Sequence, residues 1–226
     1  MYPSLTLLLL PLGALSLPLE AQQASTLPFE ASLVERCGAN PCEGVLSTNS
    51  SDSLCNNQYL GPKILTAATD PEWSEMFAGY GQLGSLCPKA FLDKWVPSGK
   101  GYVYPDHDGA LLDSAGKPVT TEYTLTVGYE LDRFGTRYGG YLAPKDTPFS
   151  WRSIPPSNLN KYTDSPEYNY WVWKVIRSFN ITGGPIAPWF GQPGYGLQFY
   201  HEGGLQELEG TYIELTDRRS CANLAT

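Results

Sequence analysis

The stretch Tyr170-Trp-Val-Trp-Lys-Val-Ile176 decides the fold class. It is the most β-prone run of the chain, because aromatic and β-branched side chains fit a pleated surface. Thr121 to Val127 alternates Thr, Tyr, Leu and Val and predicts a second strand; Gly101 to Tyr104, Leu197 to His201 and Thr211 to Leu215 predict three more. Two helices are expected ahead of them. Asp70-Pro71-Glu72-Trp73 is a helix start, with Asp as N-cap and Pro in the first turn, followed by apolar Met76 and Phe77. Pro88 to Val96 sets Phe91, Leu92 and Trp95 on one face and stops at Pro97. Strands and helices do not alternate as β-α-β units, and Gly194-x-Gly196 lacks the third glycine and following helix of a dinucleotide fingerprint. The sequence therefore predicts an α+β fold: a compact, mostly antiparallel β core with a small helical N-terminal addition, not a Rossmann fold.

The chain has 226 residues, 42% of them hydrophobic, and a formal net charge of -8. That suits one globular domain with appendages. The acidic balance argues against nucleic acid, which requires clustered Lys and Arg. It does not argue against an anionic dinucleotide, which a local arginine cluster can bind. Leu5 to Leu19 is apolar, uncharged and too short to span a bilayer, and Ala14-Leu15-Ser16 gives the small-x-small pattern of a cleavage site. We read residues 1–16 as a signal peptide, which makes the protein secreted, extracellular or at the cell surface, with no membrane span. Asn49-Ser50-Ser51 and Asn180-Ile181-Thr182 are N-glycosylation sequons. Residues 17–100 read as an N-terminal subdomain of helices and loops, 101–215 as the main domain and 216–226 as a tail. The five cysteines are Cys37, Cys42, Cys55, Cys87 and Cys221, without metal-type C-x-x-C spacing. In an oxidising compartment they staple the N-terminal segment, whose stretch from Ser25 to Gly61 reads as loop, and Cys221 can tie the tail back. Five is odd, so one thiol is left over or pairs between chains.

Two stretches carry chemistry. Asp132-Arg-Phe-Gly-Thr-Arg-Tyr-Gly-Gly-Tyr-Leu-Ala-Pro144 continues through Thr147-Pro-Phe-Ser-Trp-Arg-Ser-Ile-Pro-Pro156, and Gly183-Gly-Pro-Ile-Ala-Pro-Trp-Phe-Gly-Gln-Pro-Gly-Tyr-Gly-Leu-Gln-Phe-Tyr200 follows. Each sets arginines or glutamines among aromatics, glycines and prolines. Glycine lets a backbone approach a ligand, proline stiffens the loop, and arginine offers a planar fork for pyrophosphate. The combination suits a nucleotide with an anionic middle and aromatic ends. Read singly, Arg133 is a surface residue paired with Asp132, and Gln198 is an outward polar position on a strand. Asp106-His-Asp-Gly109 lacks the third ligand and distal Glu of a calcium loop and reads as a plain turn. His107 and His201 fit no Ser-His-Asp arrangement.

The order of these motifs, from Gly101 to Leu215, resembles the NAD glycohydrolase domain of the tuberculosis necrotizing toxin (TNT) family, above all its secreted fungal NADases. The resemblance implies a secreted NAD+ glycohydrolase that cleaves the nicotinamide-ribosyl bond of NAD+ and NADP+, with no cofactor needed for the chemistry. It implies Arg133 and Gln198 as catalytic residues, Phe134 and Tyr141 on the nicotinamide side, and Arg152 and Trp189 as further substrate contacts. Trp189 also reads as core, as do Phe149 and Trp151. Where the bacterial toxin has a histidine before the Y-x-V strand this chain has Tyr168, so a mechanism resting on that imidazole is not expected. Structural calcium near Glu207, Glu209, Glu214 and Asp217, and a homodimer, are implied as well. The alternatives are ADP-ribosyl transfer, which profits from a carboxylate that activates the acceptor and for which neither motif offers a Glu, and a non-catalytic secreted binding module.

Overall fold

In the computed structural model, which describes residues 29–65, 73–160 and 169–219, the run at 170 forms a strand buried on both faces. It is the fourth of seven: β1 Thr121–Leu125, β2 Glu130–Phe134, β3 Tyr141–Pro144, β4 Tyr170–Val175, β5 Phe179–Pro185, β6 Leu197–Tyr200 and β7 Ile213–Arg219. They form one sheet in the order β1-β5-β6-β3-β2-β4-β7, every pair antiparallel. Alternation along β4 explains its composition. Trp171, Trp173 and Val175 enter one core with Leu131, Leu142 and Phe199; Tyr170 and Val172 enter another with Phe134, Phe149 and Trp73. Lys174 is the exposed exception and faces Glu214 across β7.

A third core lies in the N-terminal half. Helix α1 (Phe29–Cys37) contributes Leu33, and α2 (Pro88–Trp95) contributes Phe91 and Trp95. Disulfides Cys37–Cys87 and Cys42–Cys55 tie this region together, with sequence separations of 50 and 13 residues. By chain entropy alone they restrict the unfolded state by about 4 and about 3 kcal/mol. Cys221 lies outside the described residues.

Several expectations change. Residues 25–61 were expected to be loop, yet α1 lies there; it is short, and Leu33 is its one described core position. Gly101 to Tyr104 is not a strand, because Tyr102 is drawn onto Tyr59 and Phe190 of the third core. Residues 73–79 form turns, and Asp70, Pro71 and Glu72 of the expected helix start lie outside the described residues. The last strand begins at Ile213 and runs to Arg219, across the boundary expected at 215. Strands β2, β3 and β5 run through stretches read as site loops or left unassigned. Residues 1–28, the expected signal peptide among them, also lie outside the described residues, as does Tyr168. Among the described residues no helix is long and apolar enough to cross a membrane.

Candidate active site

Strand β2 carries Asp-Arg-Phe, and a strand turns successive side chains to opposite faces. Leu131 therefore enters the first core and Asp132 and Phe134 the second face, while Arg133 lies on the side opposite Asp132, next to the strand's end. Asp132 cannot meet Arg133. Its partner is Arg152, which delivers Nη1 to Oδ1 and Nη2 to Oδ2, the latter at 2.8 Å. Tyr170 Oη and the Asp146 N–H complete the carboxylate's donors at 2.9 and 3.2 Å. The pair is 0% and 4% exposed. Burial pushes the Asp132 carboxyl upward, against the lowering by Arg152, the Tyr170 hydroxyl and the Asp146 N–H. Arg152 also gives Nε and Nη2 to the Thr147 carbonyl and lies 5.0 Å from the Phe134 ring centre.

Arg133 is fixed differently, by three backbone carbonyls. Nε donates to Thr136 at 2.8 Å, Nη1 to Tyr141 at 2.9 Å and Nη2 to Tyr138 at 3.3 Å. The turn that supplies them passes so close that a Cβ on Gly139, whose φ is +137°, would lie 2.6 Å from Arg133 Nη2. Glycine is required at that position.

These side chains line a cleft of about 480 Å³, bounded by Tyr104 to Gly109, the ends of β2 and β3, residues 152–158, Ile186 and Gln198. That size accepts a nucleotide-scale ligand. Arg133, Phe134, Tyr141, Arg152 and Gln198 all border it. Trp189 does not: its Nε1 donates to the Val103 carbonyl at 2.8 Å and its ring packs 5.1 Å from Trp95. Most of the second motif before Gln198 serves docking. Phe190 is buried against Trp95 and Tyr102, and Gln192 Nε2 reaches the Gly81 carbonyl at 2.6 Å. Phe149 is buried as expected, whereas Trp151 is 50% exposed and is not core.

The sequence reading missed Asp108. Its Oδ1 accepts from Tyr141 Oη at 2.8 Å, and its backbone carbonyl accepts from Gln198 Nε2 at 2.9 Å. Burial, the hydrogen bond to Asp108 and that carboxylate's charge together raise the Tyr141 phenol well above its ordinary value. His107 and Asp108 both adopt left-handed backbone, with φ of 53° and 56°. The only available sequence signal was the D-x-D-G turn, which says nothing about facing a cleft more than thirty residues ahead of β3's Tyr141.

The carboxylates considered for calcium are dispersed. Glu209 takes Arg137 and Trp173 Nε1, Glu207 faces His201, Asp217 pairs with Arg219, and Glu214 stands opposite Lys174. Among the described residues no group of three or more His, Cys, Asp or Glu is placed to hold a metal ion. Sequons differ in setting: Asn49 is exposed in a loop at φ 60°, whereas Asn180 lies on β5 with Nδ2 on Glu122 and Oδ1 on Thr124.

The family model of the tuberculosis necrotizing toxin matches residues 124–214. A conidial surface nicotinamide adenine dinucleotide glycohydrolase of Aspergillus fumigatus is 44% identical over 168 residues, covering 73% of this chain and 70% of the relative. Among solved structures, tuberculosis necrotizing toxin complexed with its immunity factor has 18% identity and a TM-score of 0.45, covering 73% of this chain and 92% of the other. Rhs1-CT in complex with its cognate immunity protein has 15% identity and a TM-score of 0.32, covering 50% and 84%.

Proposed function

The chain belongs to the tuberculosis necrotizing toxin family, and from that membership and its cleft we propose that it is a secreted or cell-surface NAD+ glycohydrolase. It cleaves NAD+ to nicotinamide and ADP-ribose. The observation that carries the assignment of residues is the convergence of Arg133, Gln198, Phe134 and Tyr141 on one cleft.

The nicotinamide of NAD+ is a cation, so breaking its bond to ribose C1′ returns the electron pair to the ring and releases it neutral. No acid is needed to protonate the leaving group, unlike ordinary glycoside hydrolysis. The protein's task is to bind and orient the dinucleotide, shelter positive charge at C1′ and admit one water. In this reading Arg133, pinned by its carbonyl cradle, meets the pyrophosphate with a pre-oriented guanidinium. Gln198, its amide nitrogen already held by the Asp108 carbonyl, presents Oε1 to a ribose hydroxyl or the water. Phe134 and Tyr141 supply the aromatic wall for nicotinamide. Arg152 acts from beneath, as the clamp on Asp132.

The test is nicotinamide release from NAD+ by purified protein beside Arg133→Ala and Gln198→Ala. Each variant is expected to lose on the order of 10² to 10³ in kcat/KM while keeping its melting midpoint. Wild-type protein inert on NAD+ would overturn the assignment and leave a binding module. NADP+ belongs to the same reading, because its nicotinamide-ribosyl bond is the same; parallel rates test it. A homodimer, calcium and glycans at Asn49 and Asn180 rest on the resemblance and the sequons, and are read by sedimentation, melts with chelator and intact-mass measurement. ADP-ribosyl transfer is the second reading, favoured by one observation: the cleft does hold a carboxylate, Asp108, that can activate an acceptor. Mass spectrometry of added acceptors separates it from hydrolysis.

A further inference from the structure

We propose that Asp108 is a catalytic residue of this cleavage, the anion that faces the ribosyl cation and takes the proton of the attacking water, an inference that rests on the glycohydrolase reading above. Among the described residues two carboxylates border the cleft, Asp108 and Asp132. Asp132 is spent on Arg152, Tyr170 and the Asp146 N–H, and is fully buried. Asp108 is exposed, and its Oδ1 alone is engaged, by Tyr141 Oη. Among the described residues no donor reaches its Oδ2. A carboxylate held at one oxygen and open at the other is oriented without being neutralised.

Its backbone points the same way. The Asp108 carbonyl holds Gln198 Nε2 and its side chain holds Tyr141 Oη, so one residue sets two groups of the cleft. It does so from two consecutive left-handed non-glycine residues, a costly conformation of the kind that gathers at functional sites. Charge then fixes the substrate's direction. The cationic nicotinamide riboside belongs at the Asp108 and Gln198 side, and the pyrophosphate at Arg133.

The step balances as follows. The C1′–N bond breaks and its electron pair goes to the nicotinamide, which leaves neutral. Water oxygen bonds to C1′ and its proton passes to Asp108 Oδ2, then to solvent, which restores the carboxylate and leaves ADP-ribose. Neither oxidant nor reductant is needed.

Asp108→Asn is the diagnostic variant, since asparagine tolerates left-handed backbone and its amide oxygen still accepts from Tyr141. We expect kcat for nicotinamide release to fall by roughly 10² or more, with ADP-ribose affinity and melting midpoint unchanged. Azide, an anionic nucleophile that carries no proton to remove, is expected to restore part of the release in the variant by forming the azido adduct at C1′. A variant with kcat within about threefold of wild type overturns the inference and leaves the glycohydrolase reading standing. So does a variant that loses ADP-ribose binding and gains nothing from azide, which assigns Asp108 to structure alone. Wild type that releases no nicotinamide overturns both.

Discussion

Removing the carboxylate from Asp132 strands a cation in the interior. Arg152 is 4% exposed, and Asp132→Ala leaves its guanidinium with the Thr147 carbonyl as the acceptor named for it. Breaking a buried pair from one side costs about 3 to 5 kcal/mol, because the remaining charge stays desolvated. At roughly 2 to 4 °C per kcal/mol for a domain of this size, the melting midpoint falls by roughly 6 to 20 °C. Arg152→Met is expected to cost a similar amount, easing only as far as Tyr170 and the Asp146 N–H still serve the carboxylate. The double variant Asp132→Ala with Arg152→Met removes both charges. Its cost is expected well below the sum of the singles, leaving mainly the Tyr170 hydroxyl unsatisfied at about 1 to 3 kcal/mol. Equilibrium urea unfolding with both disulfides intact gives the three values. If Asp132→Ala costs less than about 1 kcal/mol, as for an exposed pair, the buried-clamp reasoning is wrong. Simple addition of the two single costs would refute it equally, since coupled partners do not add.

Two further outcomes are expected. Gly139→Ala places a methyl 2.6 Å from Arg133 Nη2 at a φ that L-residues avoid, so the guanidinium must move; kcat/KM for NAD+ is expected to fall on the order of 10²-fold, and an unchanged value would detach Arg133 from catalysis. The phenols of Tyr80, Tyr102 and Tyr170 are raised, chiefly by burial. Their folded pKa lies above the unfolded value, so their contribution is complete below about pH 10 and is lost as pH rises beyond it. Unfolding free energy is expected to decline above that point by as much as about 1.4 kcal/mol per pH unit for each, with phenolate absorbance appearing together with loss of structure. Phenolate absorbance that precedes unfolding would show those hydroxyls to be open to water.

The sheet was legible where side chains announced it. Aromatic and β-branched runs gave β1, β4 and β6, and the spacing of Phe91, Leu92 and Trp95 gave α2 within one residue. Strands β2, β3 and β5 were hidden because their sequences serve two masters. Gly183 and Gly184 in β5 weaken its propensity, yet a Cβ on Gly183 would strike the Phe199 ring and one on Gly184 the Val119 carbonyl. The close packing that requires glycine is what makes the segment read as loop. The site motifs mixed two functions in the same way. Trp189, Phe190 and Gln192 bind the N-terminal core, and among the described residues the motif borders the cleft at Ile186 and Gln198.

The instructive failure is the Asp132–Arg133 neighbour pair. Adjacent opposite charges invite a local ion pair on paper, and a loop would permit one. Once the dipeptide lies in a strand, period-two alternation sends the two side chains to opposite faces, and each must find its partner through the fold. Asp132 finds Arg152, twenty positions on, and buries the pair; Arg133 finds three carbonyls of the Thr136 to Tyr141 turn. That division separates structure from chemistry at this site. One arginine is neutralised to hold β2 against the 147–152 segment, and the other is oriented by three backbone carbonyls at the edge of the cleft. A dianionic pyrophosphate gains little from the first arginine, whose fork is already committed to the Asp132 carboxylate. Arg133, rather than the better-buried Arg152, is therefore the cation assigned to substrate.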